Sequence, residues 1–119
     1  MIRILLVDDR ADFRQTFASL LEGQSDIEVV GQAGSLAEAR RKLRGVDVAL
    51  LDRGLPDGDG LELVGELRAA NPSARVLVIS STAETIHPKD AIENGADGVI
   101  DKMDNPERIY ATIRETGGG

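Results

Sequence analysis

Carboxylates crowd two short stretches of this chain: Asp8-Asp9 in "LLVDDRADFR" and Asp52, Asp57 and Asp59 in "LLDRGLPDGDG". Aspartate oxygens suit hard cations such as Mg²⁺, and a carboxylate can also act as a nucleophile. Two further residues could serve an oxyanion: Ser80 closing "RVLVIS" and Lys102 closing "GADGVIDK". A hydroxyl and an ammonium can each bind an oxygen of a tetrahedral dianion. Each residue also has an ordinary explanation. Aspartates cap helices and leave strands, serines end strands in turns, and lysines are solvated. Only the elements that carry them can decide.

The 119 residues fit one domain with a core of its own. There is no cysteine, which removes disulfides, thiol chemistry and thiolate metal sites. The apolar runs are strand-sized, short of the ~20 residues that span a bilayer, and the N-terminus lacks signal-peptide features. A soluble cytoplasmic protein is expected, with no membrane contact. Asp plus Glu number 21 against 14 Lys plus Arg, a net charge of −7. Such a surface argues against direct nucleic-acid binding, which rests on cationic side chains. With 3% aromatics and no Trp, base or flavin stacking has little to work with.

Apolar runs at 2–7, 46–51 and 75–80 predict strands covered on both faces; the mixed run 27–33 suits a sheet edge, and 98–100 is a short fifth strand. Helical spacing lies between them. Phe13, Phe17, Leu20 and Leu21 form a core-facing stripe. Ser35 with Glu38, and Asp59 with Glu62, are capping-box patterns, opening helices with Leu36, Ala39 and Leu43, and with Leu63, Val64 and Leu67, inward. Asn94-Gly95 stops a helix, and Asn105-Pro106 starts one carrying Ile109 and Ile113. Five βα units predict a flavodoxin-like, doubly wound α/β fold with strand order 2-1-3-4-5 and five helices. The domain is expected over 1–116, with 117–119 a glycine tail.

In that fold ligands bind at the carboxyl ends of the strands, where the order reverses between strands 1 and 3. Strand 1 delivers Asp8-Asp9 there and strand 3 delivers Asp52. Strands 4 and 5 bring Ser80 and Lys102 to the same edge. Asp57 and Asp59, beyond Pro56, are loop and capping residues. Three ionised carboxylates at one point require a proton or a cation, and Mg²⁺ is the natural cation.

Over its whole length the chain resembles the receiver domain of bacterial two-component response regulators. The likeness is carried by "LLVDDRADFR", "LLDRGLPDGDGLELV", "VLVISS" and "GADGVIDK", with 28 positions from Asp52 to Ser80 and 22 from Ser80 to Lys102. "LPDGDG" is most similar to the subgroup joined to LuxR-type helix-turn-helix domains. The resemblance implies that Asp52 accepts a phosphoryl group from a histidine kinase or phosphotransfer protein. It implies that Asp9, Asp52 and the Gly54 carbonyl ligate Mg²⁺, with Asp8 acting mainly through water. Ser80 and Lys102 would engage the attached phosphoryl group. A C-terminal DNA-binding effector and a phosphorylation-dependent homodimer are the partners it implies.

Two positions depart from the family pattern. Val99 stands where an aromatic switch residue is frequent, and Pro88 falls where a fourth helix would already run, so that helix is expected to start near Pro88. Signalling is then expected to act through ordering of residues 81–87 rather than through Val99. His87, before the proline, is given no role. A haloacid-dehalogenase-like phosphatase would need a second aspartate where Gly54 stands, and a flavodoxin would need a Ser/Thr-rich loop where "DDRAD" stands.

Overall fold

The computed structural model describes residues 1–80 and 88–117. Five parallel strands, β1 (Ile2–Val7), β2 (Ile27–Ala33), β3 (Val48–Asp52), β4 (Arg75–Ser80) and β5 (Gly98–Asp101), form one sheet in the order β2-β1-β3-β4-β5. β3 is buried along its whole length, and β1 and β4 bury all but one residue each. Edge strand β2 is buried only at its ends, Ile27 and Ala33, and mixes exposed and half-buried positions between them, as its mixed sequence predicts. A register shift in the β1–β2 pairing falls between Ile4 and Leu5.

The helices cover both faces. α1 (Ala11–Glu22) and α5 (Pro106–Gly117) pack with Ile4, Leu6, Leu50 and Ile79 on one side. α2 (Leu36–Ala39), a 3₁₀ turn (Gly60–Leu63) leading into α3 (Val64–Ala70), and α4 (Pro88–Glu93) cover Leu5, Val7, Leu51 and Val78 on the other. α4 is described over Pro88–Glu93, and the expectation that it starts near Pro88 turns on residues before it. Residues 81–87, with His87 and the loop-ordering expectation, lie outside the described residues, as do Gly118 and Gly119.

Most boundaries follow the local chemistry. Asp59 forms a complete capping box: its carboxylate accepts from Leu61 N, and its own N–H donates to Glu62 Oε2 at 2.9 Å. Ser35 Oγ accepts from Glu38 N at 3.1 Å. Asn105 Oδ1 accepts from Glu107 N at 2.9 Å and opens α5. Gly95, at φ +104°, ends α4, and a side chain there would press on Val64.

Two expectations are corrected. Leu20 is 40% exposed, because the buried arc of α1 centres on Phe17, Ala18 and Leu21. At about 100° per residue, Phe13 and Leu20 both fall on its rim. The second helix is a single turn. Past Arg40 its hydrogen bonds tighten to i→i−3 spacing at Arg41 and Lys42, and Leu43 is only partly buried. That stretch carries four basic residues in five positions, Arg40 to Arg44.

Candidate functional site

The parallel register fixes which residues meet. Asp8 leaves β1, where its N–H donates to Ala33 O on β2 at 3.0 Å. Asp52 ends β3 opposite Ile79, and Ser80 ends β4 opposite Asp101. The N–H of Lys102 then donates to Ser80 O at 2.7 Å, tying the lysine backbone to the serine. Five residues from four strands therefore share one edge, as the strand order predicts.

Asp8, Asp52 and Ser80 are the buried polar or charged residues of the described chain. Asp9 is exposed. One carboxylate oxygen from each of Asp8, Asp9 and Asp52 lies within 4.8 Å of the others. Lys102 Nζ approaches Asp8 Oδ2 to 2.7 Å and Asp52 Oδ2 to 3.5 Å, its side chain only 8% exposed. Burial pulls the Lys102 ammonium down, but the carboxylates of Asp8 and Asp52 outweigh it and hold its pKa above the ordinary 10.5. The ammonium stays charged.

The neighbours hold this cluster in place. Asp8 Oδ1 accepts from Arg10 N at 2.8 Å, and Asp8 O accepts from Arg14 Nη1 at 2.7 Å. Asp52 Oδ1 accepts from Gly54 N at 2.9 Å. Asp8 Oδ2 is buried and faces the Lys102 ammonium in an ion pair at 2.7 Å. One ammonium is shared by the buried carboxylates of Asp8 and Asp52, and Asp9 adds a third carboxylate beside them. That donor set fits a hard, oxygen-seeking cation such as Mg²⁺.

The other aspartates are structural, as the sequence predicts, but Asp57 acts at a distance. Its carboxylate accepts from Leu36 N and Ala37 N at 2.8 and 3.1 Å, capping α2 from the β3–α3 loop. Those two amides hold its pKa below the ordinary carboxylate value. Asp59 adds an ion pair with Arg53 at 2.9 Å. Val99 is partly buried against the core beside β4.

Three features were not read from the sequence. Gly60 abuts the carbonyl of Asp52, leaving no room for a Cβ. Arg14 anchors the β1–α1 loop. Phe13, assigned to the core stripe, places its ring 4.7 Å from Lys102 Nζ. Its rim position on α1 is the signal that could have revealed it.

A family model described as the response regulator receiver domain matches residues 4–114. The chain belongs to the response regulator receiver domain family. The whole chain is 36% identical to the DNA-binding transcriptional activator DevR/DosR of Mycobacterium tuberculosis, covering 56% of that protein. It is 34% identical to the chemotaxis protein CheY of Listeria monocytogenes, covering 97% of this chain and 98% of the relative. Among solved structures, the receiver domain of a response regulator NarL from Mycobacterium tuberculosis superposes with a TM-score of 0.84 at 29% identity, over 99% of this chain and 97% of that one. The receiver therefore spans little more than half of the activator it resembles and nearly all of the chemotaxis protein. Receiver domains are regulatory phosphoacceptors of two-component systems, partnered by histidine kinases, and bind Mg²⁺ at an acidic pocket. Among the described residues of this one, no helix is long and apolar enough to cross a membrane.

Proposed function

We propose that Asp52 is the phosphoacceptor of this receiver, taking a phosphoryl group from a histidine kinase or phosphotransfer protein in a Mg²⁺-dependent reaction. The observation that carries this reading is the buried Asp8–Asp52–Lys102 cluster, with Asp9 beside it, at the sheet's switch point. Asp8, Asp9 and Asp52 would hold the cation with the Gly54 carbonyl. When bound, Mg²⁺ neutralises charge on the carboxylates and on the incoming phosphoryl oxygens. An Asp52 oxygen attacks phosphorus and forms the new O–P bond. The bond from phosphorus to the donor imidazole nitrogen breaks, its electron pair leaves with nitrogen, and the imidazole takes a proton from solvent. Lys102 then exchanges its Asp52 oxygen for a phosphoryl oxygen, and the Ser80 hydroxyl donates to another.

The output is transcriptional control through a DNA-binding effector, by analogy with the activator that this chain matches throughout. It operates in the cytoplasm, and a phosphorylation-dependent homodimer is one form the active state takes. The covalent step is tested with acetyl phosphate and Mg²⁺. Intact mass should rise by one phosphoryl group in the parent, and not in Asp52→Asn. Equal labelling of the Asn variant would contradict the assignment.

A further inference from the structure

We propose that Phe13 is a positioning residue for Lys102, holding the ammonium on the phosphoryl side of Asp52 through the face of its ring. This inference rests on the phosphoacceptor reading and deepens it. Lys102 Nζ lies 4.7 Å from the ring centroid, within cation–π range. The same nitrogen is 2.7 Å from Asp8 and 3.5 Å from Asp52. The ammonium thus has two carboxylates on its polar flank and a ring as an apolar wall.

The ring is itself held. Phe13 stacks on Phe17, with centroids 5.2 Å apart and planes 19° from parallel, and Phe17 is buried in the core. Phe13 sits in the first turns of α1, four residues beyond Asp9 and one before Arg14, which grips the Asp8 carbonyl. One helix therefore fixes the acid loop through Arg14 and the lysine through Phe13.

This wall matters at one step. In the free protein Lys102 is drawn toward Asp8, its shorter ion pair. On phosphorylation it must follow the new charge beyond Asp52. A ring face attracts the cation without supplying a competing hydrogen-bond acceptor, so it restrains the ammonium without binding it into one place. An aliphatic side chain of similar size would fill the space but lack the quadrupole.

Replacing Phe13 with pentafluorophenylalanine tests this, because the ring keeps its shape while its face loses negative charge. Phosphorylation from acetyl phosphate at saturating Mg²⁺ should slow about fivefold in this variant and in Phe13→Leu, and stay near parental in Phe13→Tyr. A second readout needs no phosphorylation. In the metal-free protein the Lys102 Hε protons should be shifted upfield by the ring, and return to ordinary lysine positions in Phe13→Leu. Unchanged rates across all three variants, or Hε shifts indifferent to the ring, would overturn the proposal. A parent that takes no label at Asp52 would instead sink the phosphoacceptor reading, while the proton shifts would still decide whether the ring holds the lysine.

Discussion

The two edges of the sheet treat the same residue type in opposite ways. At the amino edge Asp47 accepts the N–H of Arg3 at 2.9 Å. Asp97 accepts the N–H of Val76 and the Arg68 guanidinium, both at 2.8 Å, with Arg75 at 3.8 Å. These aspartates are clips that tie neighbouring strands together, and donors meet their charge. At the carboxyl edge oxygens of Asp8, Asp9 and Asp52 crowd within 4.8 Å of one another, and the Lys102 ammonium is shared between Asp8 and Asp52. An aspartate whose charge is met by its own strand and guanidinium donors is a structural part, whereas three aspartates crowded at one point attract a cation.

Removing the compensating charge should separate the edges most. Lys102→Met, which keeps bulk but no charge, should cost about 3 kcal/mol or more in metal-free chemical denaturation, since it strands buried carboxylates. Mg²⁺ should restore a large part of that loss. Asp97→Asn should cost about 1–2 kcal/mol, with no rescue by Mg²⁺. Mg²⁺ rescue of the Asp97 variant, or none of the Lys102 variant, would break the comparison.

Asp9 offers a smaller effect of opposite sign. Asp9→Ala should raise metal-free stability by about 0.5 kcal/mol by removing one of three crowded charges. It should also shrink the rise in melting temperature that Mg²⁺ produces in the parent, because a ligand is lost from the native state. An unchanged Mg²⁺ response would remove Asp9 from the cation site.

Asp57 sharpens the contrast through pH. Its folded pKa lies below the ordinary 3.8 because two α2 amides bond the ionised form. Its contribution is therefore complete above that value and is lost as pH falls through the lowered one. Denaturation curves of Asp57→Ala should fall below the parent at pH 7, and the gap should close in strong acid. A gap independent of pH would mean the carboxylate charge plays no part in the cap.

The sheet order and the residues of the acidic edge were legible because both depend on periodicity. Apolar runs set the strands, and each strand end delivers its next residue to a known edge. The short second helix was less legible. Leu36, Ala39 and Leu43 keep helical spacing, but past Arg40 the bonds tighten to i→i−3 and the α-helix stops after one turn, which spacing does not show. Leu20 misled in the same way, since spacing gives a face but not how wide an arc is buried. Spacing puts Phe13 on the rim of α1, but that its partner is Lys102 just past β5, and that Arg14 grips the Asp8 carbonyl, are long-range contacts that spacing does not name. Asp57 was read as a cap, yet its helix lies 21 positions earlier in the chain.

On the proposed reading, the acidic edge makes Asp52 alone of its three carboxylates the nucleophile. After brief exposure to acetyl phosphate and Mg²⁺, borohydride converts an aspartyl phosphate to homoserine, which tandem mass spectrometry can locate. Homoserine should appear at position 52, none at 8 or 9, and none without Mg²⁺. Homoserine at either of the other positions, or undiminished conversion in the absence of Mg²⁺, would contradict it.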